Sequence, residues 1–204
     1  MYKKIPSDEV IYKTIAELKK NNIDAEVVNT GAEALAKIKE LIPAGASVNN
    51  GSSVTLETIG YVDYLKSGQH SWHNLKLLYL NEKDEKKEAL LRRQATVADY
   101  FLGSVHAVTE EGKVLVASNS SSQLPSYAYS AANVIWIVGA QKIVKNLDEG
   151  MKRIYDYVLP LESEHVNKQY NTTDGSFVSK LLIINREKKL NRIRMILVKE
   201  ILGF

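Results

Sequence analysis

Residues 134–138 read Val-Ile-Trp-Ile-Val, an apolar run with no polar residue in it. A strand that faces water on one side alternates apolar and polar side chains, so an unbroken run of this length predicts a strand buried on both faces. Such strands occupy the interior of parallel sheets that helices cover from both sides. The run therefore predicts an α/β protein.

The segments before this run alternate in the same way. The predicted elements are a helix after Ser7, a strand at 25–29, a helix opened by the capping box Thr30 to Glu33, a strand at 46–50, a helix ending near Gly68, a strand at 75–80 and a helix at 82–98. Alternation of strands and helices is typical of a parallel sheet with helices on both faces.

A hairpin interrupts this alternation. The β-like stretches 99–109 and 113–118 flank Glu110-Glu111-Gly112, whose residues favour a turn between two strands. Downstream, a helix is predicted over 147–158 and an irregular polar segment from Pro160 to Gly175. Two last strands, 180–185 and 192–199, surround a basic turn. We predict one domain over 1–204, with an N-terminal helix at about 1–22 and a C-terminal β-hairpin at about 176–204.

Composition excludes several classes of protein. The 204 residues are 45% hydrophobic and 25% charged, as in ordinary globular proteins, and the net charge is only +3. The chain has no cysteine, which excludes disulfides, a thiolate nucleophile and an iron–sulfur cluster held by its own thiolates. We predict no cofactor and no metal on this chain. The basic residues around 186–194 are interpreted as the tip of an exposed hairpin, so no nucleic-acid partner is expected. Since no apolar run approaches the roughly 18 residues of a membrane span and no signal peptide is evident, a cytoplasmic protein is expected.

Three loops follow predicted strands and carry candidate ligand-binding residues. In parallel sheets, ligands bind beyond the carboxyl ends of the strands, where glycines, hydroxyls and helix N-termini suit an anion. Equally, these residues are those that cap helices and form surface turns. The candidates are Asn50, Gly51, Ser52, Ser53 and Thr55 in the first loop, Asn119, Ser120, Ser121, Ser122 and Gln123 in the second, and Gln141 and Lys142 in the third.

Two residues are candidates for acid–base catalysis. His106 lies in a strand of small and apolar residues, where a polar ring serves either as a hydrogen-bonded core residue or as a catalytic group. Glu110 offers a carboxylate, although the nearby Gly112 also suits a turn that faces solvent. His70 and His73 have a spacing that suits a metal, but no third ligand is apparent.

Three stretches together resemble the LUD domain, the family of lactate utilisation protein C. They are 98–112 (ADYFLGSVHAVTEEG), 117–124 (ASNSSSQL) and 134–144 (VIWIVGAQKIV), with further similarity at 51–56 and in the ending 180–200. The resemblance implies a three-layer α/β/α Rossmann-like sandwich with a mostly parallel sheet and a β-hairpin insertion, similar to the NagB/RpiA/CoA transferase-like fold. By analogy with that fold, loops beginning at Gly51, Gly103 and Ser118 converge on one cleft, which adds Gly103 and Ser104 to the ligand-binding candidates. Many relatives carry a cysteine-bearing segment near the C-terminus, which this chain lacks.

The resemblance implies an accessory component of L-lactate oxidation to pyruvate. It would act with iron–sulfur partner proteins, which alone would hold the clusters, and would bind an anionic small molecule. One alternative is a stand-alone isomerase, CoA- or acyl-transferase, or cyclo-ligase-like enzyme that acts on a phosphorylated or acyl substrate with His106 or Glu110 as base. Another is a non-catalytic assembly or regulatory subunit. Whether the chain is an enzyme, and whether it forms a homo-oligomer, stays open at this stage.

Overall fold

The computed structural model describes residues 2–204, and its centre is a parallel sheet of six strands. The order across the sheet is β1-β10-β7-β4-β2-β3, and each neighbouring pair is parallel. The strands are β1 Ile23–Val28, β2 Ser47–Asn50, β3 His73–Asn74, β4 Tyr100–Gly103, β7 Asn133–Gly139 and β10 Ile193–Val198. Strand β7 contains the apolar run and is buried along nearly all its length, as predicted.

Helices and a second sheet cover the two faces of the central sheet. On one face, α2 Gly31–Leu41, α3 Val54–Thr58 and α4 Tyr61–Ser67 bury their apolar side chains. On the other lie α1 Asp8–Lys20 and a four-stranded sheet, with α7 Leu147–Lys152 beyond that sheet. The predicted α/β/α fold class is confirmed. The Thr30 hydroxyl accepts a hydrogen bond from the Glu33 backbone N–H at 3.2 Å, which is half of the predicted capping box.

The second sheet contains the predicted hairpin. Its order is β8-β5-β6-β9, formed by β5 Ala107–Thr109, β6 Val114–Ser118, β8 Ile143–Val144 and β9 Lys180–Ile184. Strands β5 and β6 are antiparallel and joined by the turn at 110–112. Gly112 has a φ of +76°, and a Cβ there would lie 2.7 Å from backbone atoms of α1. The turn thus requires glycine both for its conformation and for its close approach to α1.

The stretch 99–109 is two strands in different sheets, not one. Its first part, β4, belongs to the central sheet, and its last part, β5, belongs to the second sheet. Residues 104–106 cross from one sheet to the other. The crossing brings Ser104 and His106 to the carboxyl edge of the central sheet.

The predicted strand at 75–80 is wrong. These residues form α5 Leu75–Leu80, because the Asn74 side chain accepts a hydrogen bond from the Lys76 backbone N–H at 3.0 Å and caps a helix. Leu78 and Leu80 are more than half exposed, so they do not have the burial of a central strand. The charged helix that follows, α6 Glu85–Gln94, is shorter than predicted and ends in a 3₁₀ turn. Likewise, the helix predicted to end at Gly68 is divided into α3 and α4 at Gly60, whose φ is +78°.

The helix after residue 147 does not stop at Pro160. A wide π-helical turn, Arg153–Val158, joins α7 to α8 Leu159–Tyr170. Proline lacks the N–H of a regular helical hydrogen bond, but at the first turn after such a widening this donor is not needed. The prediction of an irregular segment from Pro160 to Gly175 is therefore wrong for most of its length.

The predicted C-terminal β-hairpin is also wrong. Strand β9 pairs with β6 in the second sheet, whereas β10 lies between β1 and β7 in the central sheet. The basic segment between them is not simply an exposed tip, since Arg192 is only 5% exposed. Its guanidinium donates to the carbonyls of Ser126, Tyr127 and Ala131 and pairs with Glu187 at 2.7 Å. Among residues 2–204, no helix has the length and apolar content needed to cross a bilayer.

Candidate functional site

Three of the predicted loops meet at one cavity of about 430 Å³. Strands β2, β4 and β7 are parallel and contribute to the same edge of the central sheet, so the residues after them are brought together. The loop after β6 reaches the same place from the second sheet. The sequence-predicted residues that line the cavity are Gly51, Ser52, Ser53, Thr55, Ser104, His106, Asn119, Ser120, Ser122, Gln123 and Lys142.

Lys142 lies on the wall of this cavity. It lies in the short 3₁₀ turn after β7 and is only 2% exposed. Its Nζ donates to Thr55 Oγ1 and to Ser104 Oγ, both at 3.1 Å. Within residues 2–204, no carboxylate accepts a hydrogen bond from this amine. A buried ammonium without a counter-charge is costly, so the site favours either a neutral amine or a bound anion.

The surroundings of Lys142 lower its pKa. Burial is the main cause, and the positive charge of Arg153 is the second; together they lower the pKa of Lys142 to about 7. Arg153 has no exposed surface, and its Nη1 donates to the His106 carbonyl. Its Nε and Nη2 are buried without a hydrogen-bond partner in the described part of the chain. Burial lowers the pKa of Arg153 to about 10, so it stays charged at neutral pH. The region behind the cavity wall is therefore short of negative charge.

His106 is half-buried and faces the cavity as a neutral ring. Its Nδ1 is 3.0 Å from the Ala117 backbone nitrogen and accepts that N–H, so the remaining ring proton is on Nε2. Burial, with the charges of Lys142 and Arg153, lowers the pKa of His106 to about 3. A ring with this pKa and tautomer is a hydrogen-bond donor to a ligand and a weak proton acceptor. Catalysis by His106 stays a prediction.

The serine loop after β6 is held in shape by its own hydrogen bonds. Ser118 Oγ accepts the Ser121 backbone N–H at 2.9 Å and donates to Gln123 Oε1 at 3.0 Å. Ser179 then ties the loop to the start of β9, because its hydroxyl donates to the carbonyls of Ser118 and Asn119. Ser120 and Ser122 remain at the cavity, with their hydroxyls 3.1 Å apart. These hydrogen bonds hold the loop at the cavity wall.

Five predicted site residues lie away from the cavity lining. Asn50 is 4% exposed and its Nδ2 donates to the Gly51 carbonyl, while Gln141 holds the C-terminal segment by donating to the Leu202 carbonyl at 3.0 Å. Ser121 turns its hydroxyl toward Ser179 at 3.4 Å. Position 103 requires glycine, because a Cβ there would lie 1.7 Å from the Tyr127 hydroxyl oxygen.

Glu110 is the fifth. It lies at the β5–β6 turn, and its carboxylate pairs with Lys13 of α1 at 3.1 Å. Glu110 is therefore not placed to act as the predicted base in the cleft. This ion pair instead joins the β5–β6 hairpin to α1.

One wall of the cavity is not predicted from the sequence. Helix α8 contributes Glu162, His165, Val166, Gln169 and Tyr170, and the C-terminal region adds Phe177 and Phe204. The α8 residues recur at the i, i+3, i+4, i+7, i+8 spacing of one helix face, so the signal was present. Pro160 predicts the end of a helix, however, and thereby argues against a helix face beyond it. Glu162 is the acidic residue of this wall, and burial raises the pKa of its carboxyl.

The histidine pair at 70 and 73 does not form a metal site. His70 uses both ring nitrogens within the protein, since Nε2 is 3.0 Å from the Leu65 carbonyl oxygen and Nδ1 accepts the Trp72 backbone N–H at 3.2 Å. Across residues 2–204, no three acidic, histidine or cysteine side chains are grouped as a metal ion requires.

A family model described as the LUD domain matches residues 11–201. The chain belongs to the LUD domain family. This membership confirms the resemblance drawn from the sequence. The LUD fold recurs in the crystal structure of a DUF162 family protein from Deinococcus radiodurans, with a TM-score of 0.55 and 12% sequence identity. That alignment covers 96% of this chain and 99% of the other, and at such low identity it bears on the fold alone. The comparison with curated proteins found no match.

Proposed function

We propose that this LUD domain protein binds a small carboxylate or phosphate anion in its cavity. We propose further that it acts as an accessory component of L-lactate oxidation to pyruvate, beside partner proteins that hold iron–sulfur clusters. Membership of the family supports the link to lactate utilisation. The absence of cysteine supports an accessory role, because the chain has no thiolate to hold such a cluster.

The observation that carries anion binding is the environment of Lys142. This buried amine donates to two hydroxyls, and no carboxylate among residues 2–204 accepts a hydrogen bond from it. Arg153 adds a second buried positive charge nearby. An anion in the cavity would supply the missing negative charge and would favour the protonated form of Lys142. Hydroxyls of the serine loop and the Nε2–H of His106 are additional donors for it.

The stand-alone enzyme alternative has less support from geometry. Its proposed bases are His106, whose Nδ1 is already occupied and whose pKa is far below neutrality, and Glu110, which is paired with Lys13 outside the cavity lining. A general base needs both reach and a pKa near the working pH.

Thermal unfolding in the presence of inorganic phosphate, L-lactate or pyruvate tests the anion site. A ligand at about one hundred times its Kd stabilises the folded state by roughly 2.7 kcal/mol, so at least one of these anions should raise the Tm. Lys142→Met should lose this response, while Lys145→Met, at an exposed lysine on the same segment, should keep it. No shift with any of the three anions, or an equal shift in Lys142→Met, would overturn the proposed site.

The accessory role is tested by mixing the chain with the iron–sulfur proteins of a lactate-oxidising system. We expect co-elution in size-exclusion chromatography and lactate oxidation by the mixture but not by the chain alone. Lactate oxidation by the purified chain, free of metal and flavin, would contradict the accessory role. Co-elution with no effect on lactate oxidation would instead support the alternative of an assembly subunit.

A further inference from the structure

The hydrogen bonds around Lys142 Nζ match those of a neutral amine. Thr55 Oγ1 donates its own hydrogen to the Leu202 carbonyl at 3.2 Å, so it receives an N–H from Lys142 through a lone pair. Ser104 Oγ receives the second N–H. A neutral amine has two N–H groups and one lone pair, whereas an ammonium would have a third N–H without an acceptor among residues 2–204. The two acceptors therefore use both hydrogens of the amine and leave its lone pair free.

Arg153 maintains this state from outside the cavity lining. Its guanidinium lies near the rings of Tyr2 and Tyr157, 5.6 Å and 5.3 Å from their centroids, and is fixed by its bond to the His106 carbonyl. With burial, its charge disfavours a second cation at Lys142. Glu57 and Glu162 also line the cavity, but neither hydrogen-bonds to this amine. Desolvation beside another cation is an arrangement that activates a lysine as a nucleophile.

We propose that Lys142 is a nucleophile that forms an imine with a 2-oxo acid bound in the cavity. This inference rests on the proposed function, because the carboxylate of the 2-oxo acid is the anion that the cavity would hold. The serine hydroxyls and the Nε2–H of His106 would bind that carboxylate. The carbonyl carbon would then face the amine, and the Glu162 carboxylate would disfavour an orientation that places the ligand carboxylate beside α8.

The reaction needs no oxidant and no metal. The Nζ lone pair attacks the carbonyl carbon, the π electrons of the C=O bond move to oxygen, and a proton passes from nitrogen to that oxygen to give a carbinolamine. Loss of the hydroxyl group as water, with the second amine proton, gives the C=N bond. One amine and one carbonyl thus yield one imine and one water. The Ser104 hydroxyl, 3.1 Å from Nζ, is placed to pass protons between the two atoms.

Reductive trapping tests the inference with pyruvate as the probe. The protein is incubated with pyruvate and sodium cyanoborohydride, and the product is analysed by intact mass and by peptide mapping. We expect a single adduct with the mass of pyruvate less one oxygen atom, located at Lys142 in the wild-type chain. Labelling of Lys142 should exceed that of any other lysine by about tenfold or more at neutral pH, since ordinary lysines are almost wholly protonated there.

Matched variants and pH separate a nucleophile from a merely reactive surface group. Lys142→Arg should lose the adduct, and Lys145→Arg should keep it. The rate of labelling should rise with pH around a midpoint of about 7, as the amine loses its proton. Arg153→Met should move this midpoint upward, toward that of ordinary lysines. Because the modified residue is mapped in the wild type, the result does not depend on how well the variants fold.

The outcomes distinguish this inference from the proposed function. A Tm shift with phosphate that Lys142→Met abolishes, without a pyruvate adduct at Lys142, would overturn the imine and leave anion binding intact. An adduct at Lys142 without any Tm shift from phosphate, lactate or pyruvate would support the nucleophile and contradict the anion site. Labelling spread over exposed lysines would overturn the imine.

Discussion

At the scale of single residues, the two proposals for the cavity differ in the protonation of Lys142. Anion binding uses the charged amine, whereas attack on a carbonyl uses the neutral amine. Burial and Arg153 place the change between these states near neutral pH. Neither cause is local in sequence, because Arg153 lies on a different element and approaches from behind the cavity wall. The pKa is therefore a property of the packed structure and not of the residue type.

The lowered pKa of Lys142 predicts how stability depends on pH. Between pH 7 and about 9.5 the unfolded chain holds a proton on this amine and the folded protein does not, so the free energy of unfolding should rise with pH. The difference between wild type and Lys142→Met should change by up to about 1.4 kcal/mol per pH unit in this window. His106, with a pKa of about 3, titrates below this pH window. Urea denaturation at several pH values measures the effect, with Lys145→Met as the control. An unchanged slope in Lys142→Met would contradict the lowered pKa.

At the scale of elements, α5 and α8 depart from the sequence prediction for reasons of local backbone structure. The leucines of α5 resemble a strand by composition, but Leu78 and Leu80 are exposed and the Asn74 cap starts a helix. Pro160 predicts a helix end, whereas here a π-helical turn precedes the proline and the chain continues as α8. In both cases a capping or backbone detail outweighed the average preference of the segment.

Arg192 shows how one side chain joins two elements. It links the start of β10 to the π-helical turn Ser126–Ser130 through backbone carbonyls, and pairs with Glu187. We expect Arg192→Met to lower the free energy of unfolding by about 3 kcal/mol, because it leaves buried carbonyls and a carboxylate without their partner. The exposed Arg186→Met should change it by less than about 0.5 kcal/mol. Urea denaturation of both variants decides this, and equal small effects would contradict the role of Arg192.

At the scale of the whole molecule, the last strand completes the central sheet. Strand β10 is inserted between β1 and β7, so the sheet joins the two ends of the chain. Pairing of segments so far apart in sequence is expensive in loop entropy and requires the intervening chain to fold as well. The second sheet has the same property, since β9 adds to the hairpin formed by β5 and β6.

Removal of β10 should therefore abolish cooperative folding. A chain lacking residues 192–204 leaves β1 without a neighbour in the central sheet and exposes one edge of β7. We expect no sharp thermal transition by circular dichroism and poorly dispersed amide signals by NMR. Phe204 lies after β10 and lines the cavity. Deletion of this residue alone should keep a sharp transition. A cooperative transition in the longer deletion would show that β10 is dispensable.

The sequence alone is enough to predict the α/β class, the buried strand β7, the β5–β6 hairpin and the family. These depend on local patterns: an apolar run, turn residues and ordered motifs. It also placed Lys142 and most of the polar loop residues at strand ends. The folded structure is needed to show that 99–109 divides between two sheets, that β9 and β10 lie in different sheets, and that α8 forms a wall of the cavity. The physical reason is that strand partners, burial and pKa values arise from contacts between distant segments, which no local pattern encodes.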